Sequence, residues 1–192
     1  MSAEETTDEV LVQRVQAGDK KAFDLLVLKY QHKIVQLVNR YVRDRDEAMD
    51  IAQETFIKAY RALASFRGDS AFYTWIYRIA INTAKNYLAT RARRPSDDDI
   101  DIQDAEQFEA ESTLKDHNTP EGVLLSEELA QVILVALEEL PEELRTAISL
   151  RELDGLSYDE IAEVMACPVG TVRSRIFRAR ESIDKKMKAL AG

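Results

Sequence analysis

Leu156 to Arg180 reads LSYDEIAEVMACPVGTVRSRIFRAR, and this stretch decides the fold class. Its periodicity predicts two short helices joined by a tight turn, a helix-turn-helix. Ser157 followed by Glu160 matches a capping box at the first helix start. Ile161, Ala162 and Met165 supply that helix's inward stripe. The second helix holds four arginines and no acid between Val169 and Arg180. At about 100° per residue, Val172, Ile176, Ala179 and Ile183 share one face. Arg173, Ser174, Phe177 and Arg178 share another. Arginine forks onto guanine edges and phosphates, serine donates or accepts, and a phenyl ring packs on a thymine methyl. Surface arginines usually only solvate a helix. An aromatic among them on a solvent face has no packing role within the motif, so that face reads as a surface for the DNA major groove.

Outward from this motif the composition stays helical. The chain has 192 residues, 6 glycines and 4 prolines, and no stretch alternates in the manner of a strand. The expectation is an all-α protein of two small helical domains. No apolar run is long enough to span a membrane, and the polar, acidic start is unlike a signal peptide, so the expected compartment is cytoplasmic. Cys167 is the only cysteine and reads as a small hydrophobe in the turn. His32 and His117 have no partners at metal-ligand spacing. No catalytic cluster or phosphate loop is present, so the sequence implies no enzyme, no cofactor, no metal and no small-molecule substrate.

Charge divides the chain. The net charge is −9, and residues 95–121 alone carry ten acids and one lysine. The segment before them is +4 and the segment after them is −4. A low isoelectric point here describes the middle segment and leaves a nucleic-acid partner open. The acidic stretch, bracketed by Pro95 and Pro120, has the composition of a linker extended by self-repulsion. The expected domains are residues 1–94 and 123–192, with 95–122 between them.

Four helices are predicted before the linker: about Asp8–Ala17, Asp19–Val42, Asp46–Leu63 and Ser70–Leu88. Two follow it, near Ser126–Leu140 and Glu142–Leu153, before the helix-turn-helix. In the third helix Met49, Ala52, Phe56, Tyr60 and Leu63 form the predicted core stripe. Asp50, Glu54, Lys58 and Arg61 face away, with Gln53 and Ile57 on the shoulder. The fourth is apolar nearly all round, with a narrow polar stripe of Thr74, Arg78, Asn82 and Lys85, edged by Trp75 and Asn86. The loop SFRGDS before it adds Phe66 and Arg67. Aromatics, an amide and cations side by side suit unstacked bases with their phosphates alongside. Most of these rings are also what any helical core needs, so the reading rests on stripe and loop together.

Three patterns, in order, resemble the extracytoplasmic-function sigma factors, most closely the envelope-stress sigma-E type. DEAMDIAQETF (46–56) is similar to the family's polymerase-binding helix. FRGDSAFYTWIYRIAINTAKNYL (66–88) is similar to its promoter-melting and minus-10 region. LPEELRTAISLRELDGLSYDEIAEVMACPVGTVRSRIFRAR (140–180) is similar to its minus-35-binding domain. The resemblance implies that Asp50, Gln53 and Glu54 contact the β′ clamp helices of bacterial core RNA polymerase, with the β flap as a further contact. It implies that Phe66, Arg67, Arg78, Asn82 and Lys85 serve minus-10 capture and melting. It implies that Arg173, Ser174, Phe177 and Arg178 read a GGAAC-type minus-35 duplex, with Thr171 helping on the backbone. Promoter DNA and a cognate, membrane-anchored anti-sigma factor are the other implied partners. The linker is expected to thread the polymerase's RNA path.

A different class remains as the alternative: a stand-alone helix-turn-helix regulator with an N-terminal sensor or dimerisation domain. Such a regulator needs neither a melting surface nor the 50–54 helix face.

Overall fold

The computed structural model describes residues 3–93 and 132–190. The expected acidic linker, and the start of the helix expected near Ser126, lie outside the described residues. All regular elements among the described residues are helical. They are α1 (Ala3–Gln16), α2 (Lys20–Asn39), α3 (Arg45–Ala62), a 3-10 turn (Leu63–Ser65) and α4 (Phe72–Arg93). Then come α5, seen over residues 132–138, α6 (Glu142–Glu152), α7 (Tyr158–Met165) and α8 (Val169–Leu190). The described residues fall into two compact units, 3–93 with 159–168, and 132–158 with 169–190.

In the first unit α2 is central, touching α1, α3 and α4. Its apolar spacing is helical, and Ala22, Phe23, Leu26, Tyr30, Ile34, Leu37 and Val38 are buried. The Asp19 carboxylate caps its start by accepting from Lys21 N at 3.1 Å. Arg14 pairs with Asp19 at 2.7 Å and holds that carboxyl below its usual pKa. The preceding helix ends in a Schellman motif. Gly18, at φ +98°, donates to Val15 O, and Asp19 N donates to Arg14 O, both at 2.9 Å.

Sequence boundaries shifted at three places. α1 begins at Ala3, so Asp8 is no start signal but a buried mid-helix carboxylate. It accepts from Lys29 Nζ at 2.7 Å and from the Tyr30 hydroxyl, fastening α1 to α2. α2 stops at Asn39, before the expected Val42. α4 runs on to Arg93, past the expected Leu88. Its last turns are good helix formers, and Arg91 and Arg93 suit the negative end of the helix dipole. Arg91 also pairs with Glu47 on α3 at 2.7 Å. Beside that pair, burial pushes the Tyr87 phenol pKa up, and Glu47 adds to it.

α3 starts as expected, with Asp44 Oδ1 accepting from Asp46 N at 2.8 Å and Glu47 N at 3.0 Å. Its core face is turned from the predicted one: Ala52, Phe56 and Leu63 are buried as expected, and Met49 and Tyr60 are not. Ala48, Ile51, Ala52, Thr55, Phe56 and Ala59 are buried, whereas Met49 is 52% and Tyr60 41% exposed. The helix is packed between α2 and α4. Neighbours on two sides bury Ile51 and Phe56 together with the small side chains between them, and leave Met49 and Tyr60 outside.

In the second unit α6 packs on α8. Pro141 occupies the N-cap of α6, where its missing N–H costs nothing. α7, whose residues 159–165 group with the first unit, begins at Tyr158, directly after Ser157. Its C-terminal end repeats the Schellman pattern without glycine. Cys167 N donates to Ala162 O at 3.0 Å and Ala166 N to Glu163 O at 3.3 Å, with Ala166 at φ +50°. Pro168 then blocks helix continuation and α8 starts at Val169. Cys167 is half-buried in this turn.

Two stability outcomes are expected. Tyr30→Phe, by removing a buried partner of Asp8, lowers unfolding free energy by about 1–3 kcal/mol in urea titration. Ala166→Gly raises it by about 0.5–1 kcal/mol, because glycine has no Cβ penalty at positive φ.

Candidate nucleic-acid interface

Burial fixes the rotation of α8. Val172, Ile176 and Ala179 are buried, and Ile183 is half-buried. Arg173, Ser174, Phe177 and Arg178 therefore stand exposed on the far side, as the periodicity predicts. Phe177 is 68% exposed, an unusual position for a phenyl ring in water. Thr171 is half-buried at the helix start, and its carbonyl accepts from Ser174 Oγ at 2.9 Å.

Ion pairs divide the four arginines. Arg175 pairs with Glu143 of α6, and Arg180 pairs with Glu152 at 2.6 Å. Glu152 holds the Arg180 guanidinium above its usual pKa. Arg173 and Arg178 form no ion pair among the described residues. Arg173 lies over the Tyr158 ring, with its guanidinium carbon 5.9 Å from the centroid. Arg151 approaches the same ring at 5.0 Å and donates to Leu156 O at 2.8 Å. Thus two cations brace α8 against α6, and two remain aimed outward beside Phe177 and Ser174. A rigid helix with such a face can enter a major groove and donate to guanine edges.

The first unit presents different chemistry. Phe66, half-buried, packs on Trp75 with ring centroids 4.9 Å apart and on Phe72 at 6.4 Å. Phe72 also meets Trp75 at 5.8 Å and Tyr30 at 5.6 Å. Arg67 is exposed in the loop, which turns at Gly68 (φ +76°). On α4 itself Arg78 and Asn82 are exposed and Lys85 is half-buried. Thr74, placed on this polar stripe by sequence, is buried instead, and its hydroxyl has no hydrogen-bond partner among the described residues. α4 touches α1, α2 and α3, so more of its circumference is covered than a one-sided helix would lose. The surviving stripe of Arg78, Asn82 and Lys85 lies on the same helix as Trp75, whose ring carries Phe66.

On α3, Asp50, Gln53 and Glu54 are exposed, and Glu54 pairs with Lys58 at 2.8 Å. Beside them lies an apolar row that sequence reasoning missed. Met49 and Ile57 (46% exposed) follow the i, i+4, i+8 spacing through Gln53, with Tyr60 next in line. A shallow groove of ≈ 400 Å³ is lined by Phe23, Gln53, Phe56, Ile57, Tyr60 and Arg61. The legible signal was present: Ala48, Ala52 and Ala59, at helical spacing, are small enough for a tight helix contact. Among the described residues no cluster of acids, histidines or cysteine has the makings of a metal site, and no helix is long and apolar enough to cross a membrane.

The chain that carries these surfaces is a transcription initiation factor of the sigma-70 class. Residues 26–94 match Sigma-70 region 2, and residues 130–183 match Sigma-70, region 4. The chain is 63% identical over 188 residues to the ECF RNA polymerase sigma-E factor of Escherichia coli strain K12, covering 98% of each chain. It is 63% identical over 183 residues to the RNA polymerase sigma-H factor of Pseudomonas aeruginosa, covering 95% of each. The solved sigma factor RpoE of Bartonella quintana, in complex with the anti-sigma factor NepR, matches with TM-score 0.68 and 26% identity. That match covers 88% of this chain and 98% of the other. The chain belongs to the ECF RNA polymerase sigma factors. It is therefore a promoter-specificity subunit, not an enzyme.

The ion-pair division of α8 has a direct readout. Arg173→Ala is expected to cost about 1–3 kcal/mol of discrimination between cognate and altered minus-35 duplexes. Arg175→Ala, which removes a brace to Glu143, leaves that discrimination near wild type. Fluorescence anisotropy with single-base duplex variants measures both.

Proposed function

We propose that this sigma factor brings core RNA polymerase to envelope-stress promoters through two surfaces of unlike chemistry. Arg173, Ser174, Phe177 and Arg178 read the minus-35 duplex, with Thr171 assisting at the backbone. Phe66 and Arg67 receive an unpaired minus-10 base, with Arg78, Asn82 and Lys85 on the strand's phosphates and bases. The observation that carries the reading is the pairing of a rigid, outward arginine face with a separate aromatic-and-cation surface. Paired DNA is read by a helix in a groove, and unpaired DNA by stacking. Extruding a base costs a few kcal/mol, which stacking at about 1–3 kcal/mol per base offsets with help from the polymerase.

The working division assigns residues 1–94 to minus-10 recognition, 95–122 to an acidic linker and 123–192 to minus-35 recognition. Tethering lets one chain engage both elements, because the second contact becomes intramolecular. Asp50, Gln53 and Glu54, with the apolar row of Met49 and Ile57 beside them, dock on the β′ clamp helices of the core enzyme. The second unit meets the β flap. A mixed apolar and acidic surface of this kind is suited to a protein partner. The solved RpoE complex with NepR supports control by an anti-sigma factor; here that partner is membrane-anchored and the sigma factor itself acts in the cytoplasm. A stand-alone regulator has no use for the exposed α3 row or the aromatic loop, which disfavours that alternative.

Run-off transcription with core polymerase tests the reading: promoter-directed product is expected, and its absence defeats it. Asn82→Ala separates the two surfaces. It is expected to leave minus-35 duplex binding intact while reducing open complexes, measured by permanganate reactivity of unpaired thymines. An equal fall in both would overturn the division of labour.

A further inference from the structure

No residue of α1 has been given a role of its own, and the Sigma-70 region 2 match begins at residue 26. Its last residue is nevertheless joined to the Phe66 loop. Gln16 Nε2 donates to Leu63 O at 3.0 Å and to Phe66 O at 2.9 Å, partners 47 and 50 residues away. A primary amide has two N–H donors, and this one commits both to a single short stretch of backbone. Leu63 O also accepts from Phe66 N at 3.1 Å. The 3-10 turn therefore ends in a closed set of hydrogen bonds centred on Phe66. On its other side the Phe66 ring rests on Trp75 and Phe72. Beyond it, Arg67 and Asp69 are exposed around Gly68. The root of the loop is held while its tip is open.

The end of α1 is itself held. Its Schellman turn and the Arg14–Asp19 pair fix the chain immediately after Gln16. The amide thus hangs from a rigid support and reaches across to the loop, as a splint would.

We infer that Gln16 is a positioning residue for base capture. Its two donated hydrogen bonds set the Phe66 backbone, and through it the ring, in the orientation that receives an extruded minus-10 base. The inference rests on the proposed role of the Phe66 loop. Gln16 touches no DNA and acts only through Phe66.

The test uses holoenzyme assembled from the full chain and core polymerase. The probe is a fork-junction DNA with a GGAAC minus-35 duplex and a protruding non-template minus-10 strand, each overhang position carrying the four bases in turn. The same DNA fully paired is the control. Gln16→Met keeps the side-chain length but has no donors. It is expected to bind the fork about tenfold more weakly, the scale of one to two lost hydrogen bonds. Base preference in the overhang flattens and paired-duplex binding stays unchanged. Gln16→Arg, which restores N–H donors, returns both readouts to within about twofold. Should the methionine variant fold poorly, Gln16→Glu, also donorless, is measured in its place. A fall in stability alone would not change which base is preferred. Wild-type fork affinity and preference in the donorless variant, or no rescue by arginine, overturns the inference. Phe66→Ala in the same assay keeps the two ideas apart. If it binds the fork as wild type does, the base-capture reading itself fails. If it loses capture while Gln16→Met does not, only the positioning role fails.

Discussion

The close packing of α3 on α4 is the contact on which the first unit depends. Both helices carry small buried residues: Ala48, Ala52 and Ala59 on one, Ala80 and Ala84 on the other. Alanine on both sides lets two helix backbones approach, and protein interiors tolerate little space left unfilled. The arrangement decides what remains outside. Long side chains that do not fit the contact, Met49, Ile57 and Tyr60, are turned toward solvent on α3. On α4 the same packing exposes Arg78 and Asn82. One interface thus sets the orientation of the surface proposed for polymerase and of the surface proposed for melted DNA. The Arg91–Glu47 pair keeps the far ends of the two helices in step.

α8 follows the same logic with fewer residues. Val172, Ile176 and Ala179 fix its rotation, and Glu143 and Glu152 each engage one arginine. Exposed ion pairs of this type contribute little stability, about 0–1 kcal/mol each. Their larger effect is to sort equivalent side chains into two that brace and two left free for the reading role proposed above. Four arginines in a row of twelve residues look alike in the sequence; the acids on α6 make them different.

The architecture was legible because helical spacing and caps act locally. Asp19 and Pro141 stand where helices are expected to start, and the outward face of α8 follows from a period of 3.6 residues. What the sequence concealed came from tertiary packing. Ranking α3 by hydrophobicity favours Met49 and Tyr60 over alanines, whereas a helix squeezed between two neighbours buries the smaller groups. Thr74 looked like part of a polar stripe, and is buried because α4 is covered on several sides. Asp8 is placed by sequence at the edge of the first helix, and its partners, Lys29 and Tyr30, belong to the next one. Gln16 carried no signal at all, since both its acceptors are backbone atoms some fifty residues away.

The residues that hold α8 in place are not the four, Arg173, Ser174, Phe177 and Arg178, proposed to read DNA. Such independence leaves the outer four positions open to change while the scaffold persists. On the proposed reading, exchanges at those four positions would change which duplex the helix recognises while its buried face keeps the fold. The modest buried triplet of valine, isoleucine and alanine is in that sense what makes a vocabulary of related regulators accessible to evolution.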